Sequence, residues 1–324
     1  MKVTRPIFLS IMVALVFAVL AFLPRFDHAE KEAVLLRTIV DVIEAYHFDP
    51  LTIDDQFSEK VFDLYIDRID RGRRWLTQED MQALSTFKTK LDDEVRSGTF
   101  NFLDISVEYL EKGVSKTAAF YKEILAQPFD FSLTESVITE GSQKGFAADD
   151  KELKEYWRKN LKYEVMVRLA NMIEDQEKLP AEQQETEAQL EEKARNKVLE
   201  LYDGWYKRMA KLERHDRTTA YLNAITNVFD PHTGYYEPVQ KQSFDIEFGG
   251  KLEGIGARLQ EDDIYTKIVS IVVGGPAWKT KQIEEGDMIM KVTQADNDEG
   301  VDIKGMRVDD VVQLIRGKKG LKYG

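Results

Sequence analysis

The 324-residue chain carries 45 Lys and Arg against 58 Asp and Glu, a formal net charge of −13. That balance excludes a general electrostatic grip on nucleic acid and disfavours adhesion to anionic lipid. With no cysteine there is no disulfide and no thiolate metal site, and the length suits about two or three domains once any targeting segment is set aside.

At the amino terminus, Lys2 and Arg5 precede an apolar run over residues 7–23, broken only by Ser10. A positive segment followed by an apolar one is the pattern of an export signal or a membrane anchor. As a helix the run spans roughly 26 Å, near the lower limit for crossing a bilayer. Ala29 follows Asp27 and His28, a poor cleavage site, so a cleaved signal and an uncleaved anchor both stand. Residues 1–29 are assigned to this segment. Everything after Pro24 is then expected to be extracytoplasmic.

Residues 30–240 read as a helical domain. Leu35, Leu36, Ile39, Val42, Ile43 and Tyr46 recur at three-to-four spacing, and Val61, Phe62, Tyr65, Ile66 and Ile69 repeat the pattern. Thr77 followed by Gln78-Glu79-Asp80 resembles a helix start. Further helices are predicted over 103–126, 151–173 and 188–228. Breaks fall at Asp49-Pro50, Gln127-Pro128, 141–145 and Leu179-Pro180. The Glu-, Gln- and Lys-rich stretch 174–197 reads as a solvated loop entering a surface helix, with an adaptor-binding segment as the functional alternative. The stretch DPHTGYYEP, 230–238, reads as a structured turn leaving the helical domain.

From 241 to 324 the pattern becomes that of a small β domain. Strands are predicted at 257–260, 266–273 and 288–292, a short helix at 276–279 with Pro near its first turn, and a turn at Gly286-Asp287. Val308, Val311, Val312 and Ile315 place an apolar stripe on a helix that stops at Gly317. The whole is an α+β chain: targeting segment, helical domain, small β domain.

The segment LEGIGARL, 252–259, poses a chemical question, because glycine permits unusual dihedrals and close approach to the backbone. The stretch Gly254, Ile255, Gly256 and Ala257 can form a nest that presents the N–H groups of Ile255, Gly256 and Ala257 to an oxyanion. The strand that follows, with Leu259, can accept an extended peptide as an added strand. The helix carrying Val308, Val311, Val312 and Ile315 then supplies an apolar pocket for the peptide's last side chain. Lys251 is a candidate for added positive charge near the carboxylate. A tight turn or a bulge is the plain alternative for a lone G-I-G.

Catalytic groups are sparse. The histidines are His28, His47, His215 and His232, with no pair at metal-ligand spacing, so no metal is expected. There is no G-x-S-x-G nucleophile motif and no phosphate-cradling loop, and no cofactor is expected.

The order glycine loop, strand, strand, GGPAWK, EEGDMIMKV and late helix resembles a PDZ domain. Together with YHFDPLTIDDQFSEKVFDLYIDRID (46–70) and DPHTGYYEP, it resembles the tail-specific, or C-terminal processing, peptidases over nearly everything after the amino-terminal segment. One departure is Gly234, where members commonly carry serine. The resemblance implies an envelope serine endopeptidase whose PDZ domain senses apolar substrate C-termini and gates a Ser-Lys dyad in a later domain. On that reading no catalytic residue lies in this chain, the PDZ domain at 241–324 is incomplete before its last strand and poorly stable alone, and the partners are polypeptides with free apolar ends. An envelope adaptor on the helical domain and membrane contact through residues 7–23 are further expectations, and nucleic acid is not. A membrane-tethered, non-enzymatic peptide-binding scaffold is the alternative, with a chaperone-like helical protein as a third option.

Overall fold

The computed structural model describes residues 28–141, 144–238, 241, 254–262, 264–294 and 297–315. The apolar run 7–23, Lys251 and the chain end from 316 lie outside them. Among the described residues no helix is long and apolar enough to cross a membrane. The chain divides into two compact units. Residues up to 206 group with 214–234, and residues 207–213 group with those from 235 on.

The first unit is helical: α1 (His28–Tyr46), α2 (Asp55–Ile69), α3 (Gln78–Leu84), α4 (Leu91–Ser97), α5 (Asn101–Leu125), α6 (Asp150–Gln176), α7 (Glu187–Met209) and α8 (Arg214–Phe229). The apolar spacing in the sequence becomes the buried face. Leu36 and Ile43 of α1, Phe57, Val61 and Tyr65 of α2, and Tyr221 and Ile225 of α8 are buried. Tyr65 meets Phe102 and Tyr221 edge-on, at centroid distances of 5.5 and 5.3 Å. Its burial pushes the phenol up to about 12. A second cluster joins α5, α6 and α7 through Tyr121, Leu153, Trp157, Leu161, Ala194 and Tyr202.

The turn between α2 and α3 is built on one carboxylate. Asp70 is fully buried and accepts from the amides of Arg74, Trp75 and Leu76 at 2.6, 3.2 and 3.0 Å. Desolvation pushes its pKa up to about 6 against the pull of these amides and of Arg73. Thr77 then caps α3 in a capping box with Asp80. The predicted helix over 188–228 is in fact two. Tight bonds from Lys211 N to Arg208 O and from Leu212 N to Met209 O close α7 in a tightened last turn, with no Gly or Pro to signal it. The 230–238 turn is held by Asp230, whose side chain accepts from His232 N at 2.8 Å and whose carbonyl accepts from Thr233 N at 3.0 Å.

The second unit contains β1 (Ala257–Asp262), β2 (Tyr265–Ile271), α9 (Pro276–Thr280), β3 (Met288–Ile289), β4 (Lys291–Gln294), β5 (Asn297–Asp302) and α10 (Val308–Ile315). Strands β1, β2 and β3 form one antiparallel sheet in that order, and β4 and β5 form a hairpin. The predicted strand 288–292 is two strands, because the chain changes partner at Met290: β3 pairs with β2, and β4 with β5. Strand β5 was not foreseen, since Asn297-Asp298-Glu299-Gly300 carries turn-forming residues rather than β-formers. Val292, Ile303, Val311 and Ile315 form the core, with Ile255, Leu259, Ile289, Met306 and Leu314 packed around it.

Candidate functional site

The glycine loop enters β1 with positive φ at both glycines, +140° at Gly254 and +76° at Gly256. Two carbonyls fix its orientation. Ile255 O accepts from Ala277 N of α9, and Gly256 O accepts from Val272 N, both at 2.8 Å. Among the described residues no peptide bond is cis, and in a trans peptide the N–H points opposite the C=O. The amides of Gly256 and Ala257 therefore point away from α9 and β2 respectively. The register agrees. Ala257 faces Ile271, and the bond from Val272 to Gly256 makes this a non-hydrogen-bonded pair, whose own N–H and C=O turn outward. They turn to the edge of β1 that has no strand beside it among the described residues.

The close approach at Gly256 has a source inside the chain. A Cβ there would lie 3.1 Å from Gly275 Cα and 3.2 Å from Pro276 Cδ, and Gly256 is buried. The loop is thus clamped by the β2–α9 connection, which orients its amides. The glycine at 256 is required by this clamp and by its φ, independently of any ligand.

Helix α10 lies against β1 and β4. Its four singled-out residues do not share one role. Val311 is completely enclosed in the core and Ile315 nearly so, while Val308 and Val312 are half-buried. The side chain of Val311 thus supports the helix from beneath. Leu259 and Ile255 are half-buried and pack on the same core. Ile255 and Leu259, with Val308 and Val312 of α10, are thus apolar residues that keep part of their surface exposed.

The helical unit contains a cleft of about 540 Å³ lined by residues that include Gln78, Val137, Lys144, Phe146, Glu155 and Tyr156. Lys144 donates to Arg73 O at 3.0 Å and lies over the Tyr156 ring. Burial draws its ammonium down to about 7, against the attraction of Asp70. Nothing in the sequence pattern marked Lys144, which sits in a segment read only as a break. Among the described residues no group of three or more His, Cys, Asp or Glu is placed to hold a metal.

Comparison with known proteins gives two family matches: the tail specific protease N-terminal domain over residues 39–239, and the PDZ domain over residues 243–322. The tail-specific protease of Haemophilus influenzae is 28% identical over 277 residues, covering 85% of this chain and 37% of that protein. The carboxy-terminal processing protease CtpA of Bacillus subtilis is 42% identical over 98 residues, 30% of this chain and 20% of that one. Among solved structures, the PDZ domain of a carboxy-terminal protease from Vibrio cholerae, in complex with peptide, is 48% identical. It covers 22% of this chain and 87% of that one, with a TM-score of 0.20. The chain thus spans about a third or less of the length of these two curated relatives. Because the first family match extends over more than half of the chain, this protein belongs to the tail-specific protease family.

Proposed function

We propose that the chain is the substrate-selecting part of a C-terminal processing serine endopeptidase, and that its PDZ segment reads the free carboxylate of polypeptide tails. The observation that carries the reading is the Ala257 amide turned to the edge of β1 that has no strand beside it among the described residues, with the Gly256 amide turned away from α9. A terminal carboxylate accepts from the amides of this loop, the peptide adds to β1, and its last side chain lies among Ile255, Leu259, Val308 and Val312. Lys251, outside the described residues, is the candidate for added positive charge. The helical unit is a platform that presents substrate or adaptor proteins. Hydrolysis belongs to a Ser-Lys pair outside these residues, in which Lys deprotonates Ser for attack on a backbone carbonyl. The supports are the family matches and the protease names of the relatives. The positive and apolar amino-terminal segment favours the cell envelope as the working compartment.

Calorimetry of the full chain with an apolar-ended peptide and its C-terminal amide tests the reading. The free acid is expected to bind at least about tenfold more tightly, or about 1.4 kcal/mol. Equal affinities would overturn it.

A further inference from the structure

Strand β1 presents two chemically different faces to anything that lies along its edge. Leu259 packs toward the core beneath α10, while Arg258 and Gln260 stand exposed on the other face. The register shift between Arg258 and Leu259 places its extra residue, Val269, on β2. The alternation along β1 is therefore unbroken. The neighbouring charges are already engaged. Lys267 bonds Asp262 at 3.3 Å, and Glu261 bonds Lys211. Arg258 has no ion pair or side-chain hydrogen bond among the described residues.

We propose that Arg258 is a specificity-determining residue that selects an acidic side chain at the penultimate position of the bound tail. The inference rests on the tail reading above. With the carboxylate at the Gly256 and Ala257 amides, the peptide runs antiparallel to β1. Residues directly opposite in an antiparallel pair place their side chains on the same face. The last residue, beside Ala257, points toward α10. The one before it, beside Arg258, points to the exposed face and meets the guanidinium, and the third from the end again faces the apolar side beside Leu259. Long-range electrostatics run the other way, because a chain of net charge −13 repels an acidic ligand. A preference for acid at this one position therefore isolates a local contact. An exposed pair of this kind changes affinity about two- to fivefold and weakens with salt.

The test uses the full chain and Arg258→Glu, titrated with free-acid peptides that share an apolar last residue and carry Glu, Gln or Lys before it, at low and high salt. A further peptide carries Glu third from the end, and a C-terminal amide serves as control. The expected result is Glu over Gln over Lys at the penultimate position, about two- to fivefold from end to end, reversed in Arg258→Glu and compressed by salt. Glu third from the end is expected to weaken binding equally in both proteins. The same penultimate ranking in both proteins would overturn the assignment to Arg258, as would no ranking in either while free acid still outbinds amide. If amide binds as well as free acid, the tail reading itself fails, and this inference with it.

Discussion

Replacing Gly256 tests the clamp that orients the loop. At φ +76° an L side chain costs about 1–2 kcal/mol. A Cβ also meets the Gly275 Cα at 3.1 Å, so main chain rather than a mobile side chain must move. Gly256→Ala should therefore destabilise the second unit by about 2 kcal/mol. Gly256→Val adds β-branched crowding against Pro276 and should cost about 3–4 kcal/mol. A domain of this size has a total stability of only about 4–12 kcal/mol, so the valine variant should lose about a quarter of it or more. Hydrogen exchange read by mass spectrometry separates the units within one chain. Peptides from 257–289 should lose protection in the order wild type, Ala, Val, while those from 55–125 keep theirs. If Gly256→Val exchanged like wild type over 257–289, the close approach would not be a constraint and the orientation argument would fall. Because this variant loosens the fold, its loss of peptide binding would not by itself speak for an anion contact.

Gly113 lies within α5, where exchange for Ala ordinarily gains about 1 kcal/mol. Here a Cβ would sit 2.5 Å from Trp75 O, so Gly113→Ala should instead lower the denaturation midpoint of the helical unit. Thr77→Ala removes the α3 capping box and should cost about 1 kcal/mol in the same measurement. Lys144 titrates lower folded than unfolded, so the unfolded chain holds its proton from pH 7 to about 10.5 where the native chain does not. Stability therefore rises with pH across that window and is lost as pH falls through it. Lys144→Met should be more stable than wild type near pH 7, by about 1–2 kcal/mol after allowance for partial solvent access, and the gap should close toward pH 10.5. Urea midpoints of both proteins across the range check this.

Most of the helical unit was legible because its cores are amphipathic stripes. The spacing of Val61, Tyr65 and Ile66 names the face that the structure buries. The α7–α8 break was not legible, since it is made by tightened backbone bonds that any residue supports. In the β unit, the 257–260 and 266–273 predictions lie where β1 and β2 form, because alternation survives there. Strand β5 was hidden, because its partner β4 and not its composition makes it a strand. At the site, the glycine pair was visible but its cause was only half read: the backbone that crowds Gly256 is Gly275-Pro276, 19 and 20 positions further along the sequence. Helical spacing put Val311 and Val312 on one stripe, and only the packing separates the enclosed residue from the half-buried one.

Tail recognition depends on outward-facing amides at the start of β1 receiving a carboxylate. The most direct measurement is nuclear magnetic resonance of the full chain labelled with ¹⁵N at Gly, Ala and Ile, titrated with an apolar-ended peptide as free acid and as amide. The predicted result is downfield shifts and slowed exchange at Gly256 and Ala257 with the acid alone. Unmoved amides at both positions under saturating free-acid peptide would contradict it.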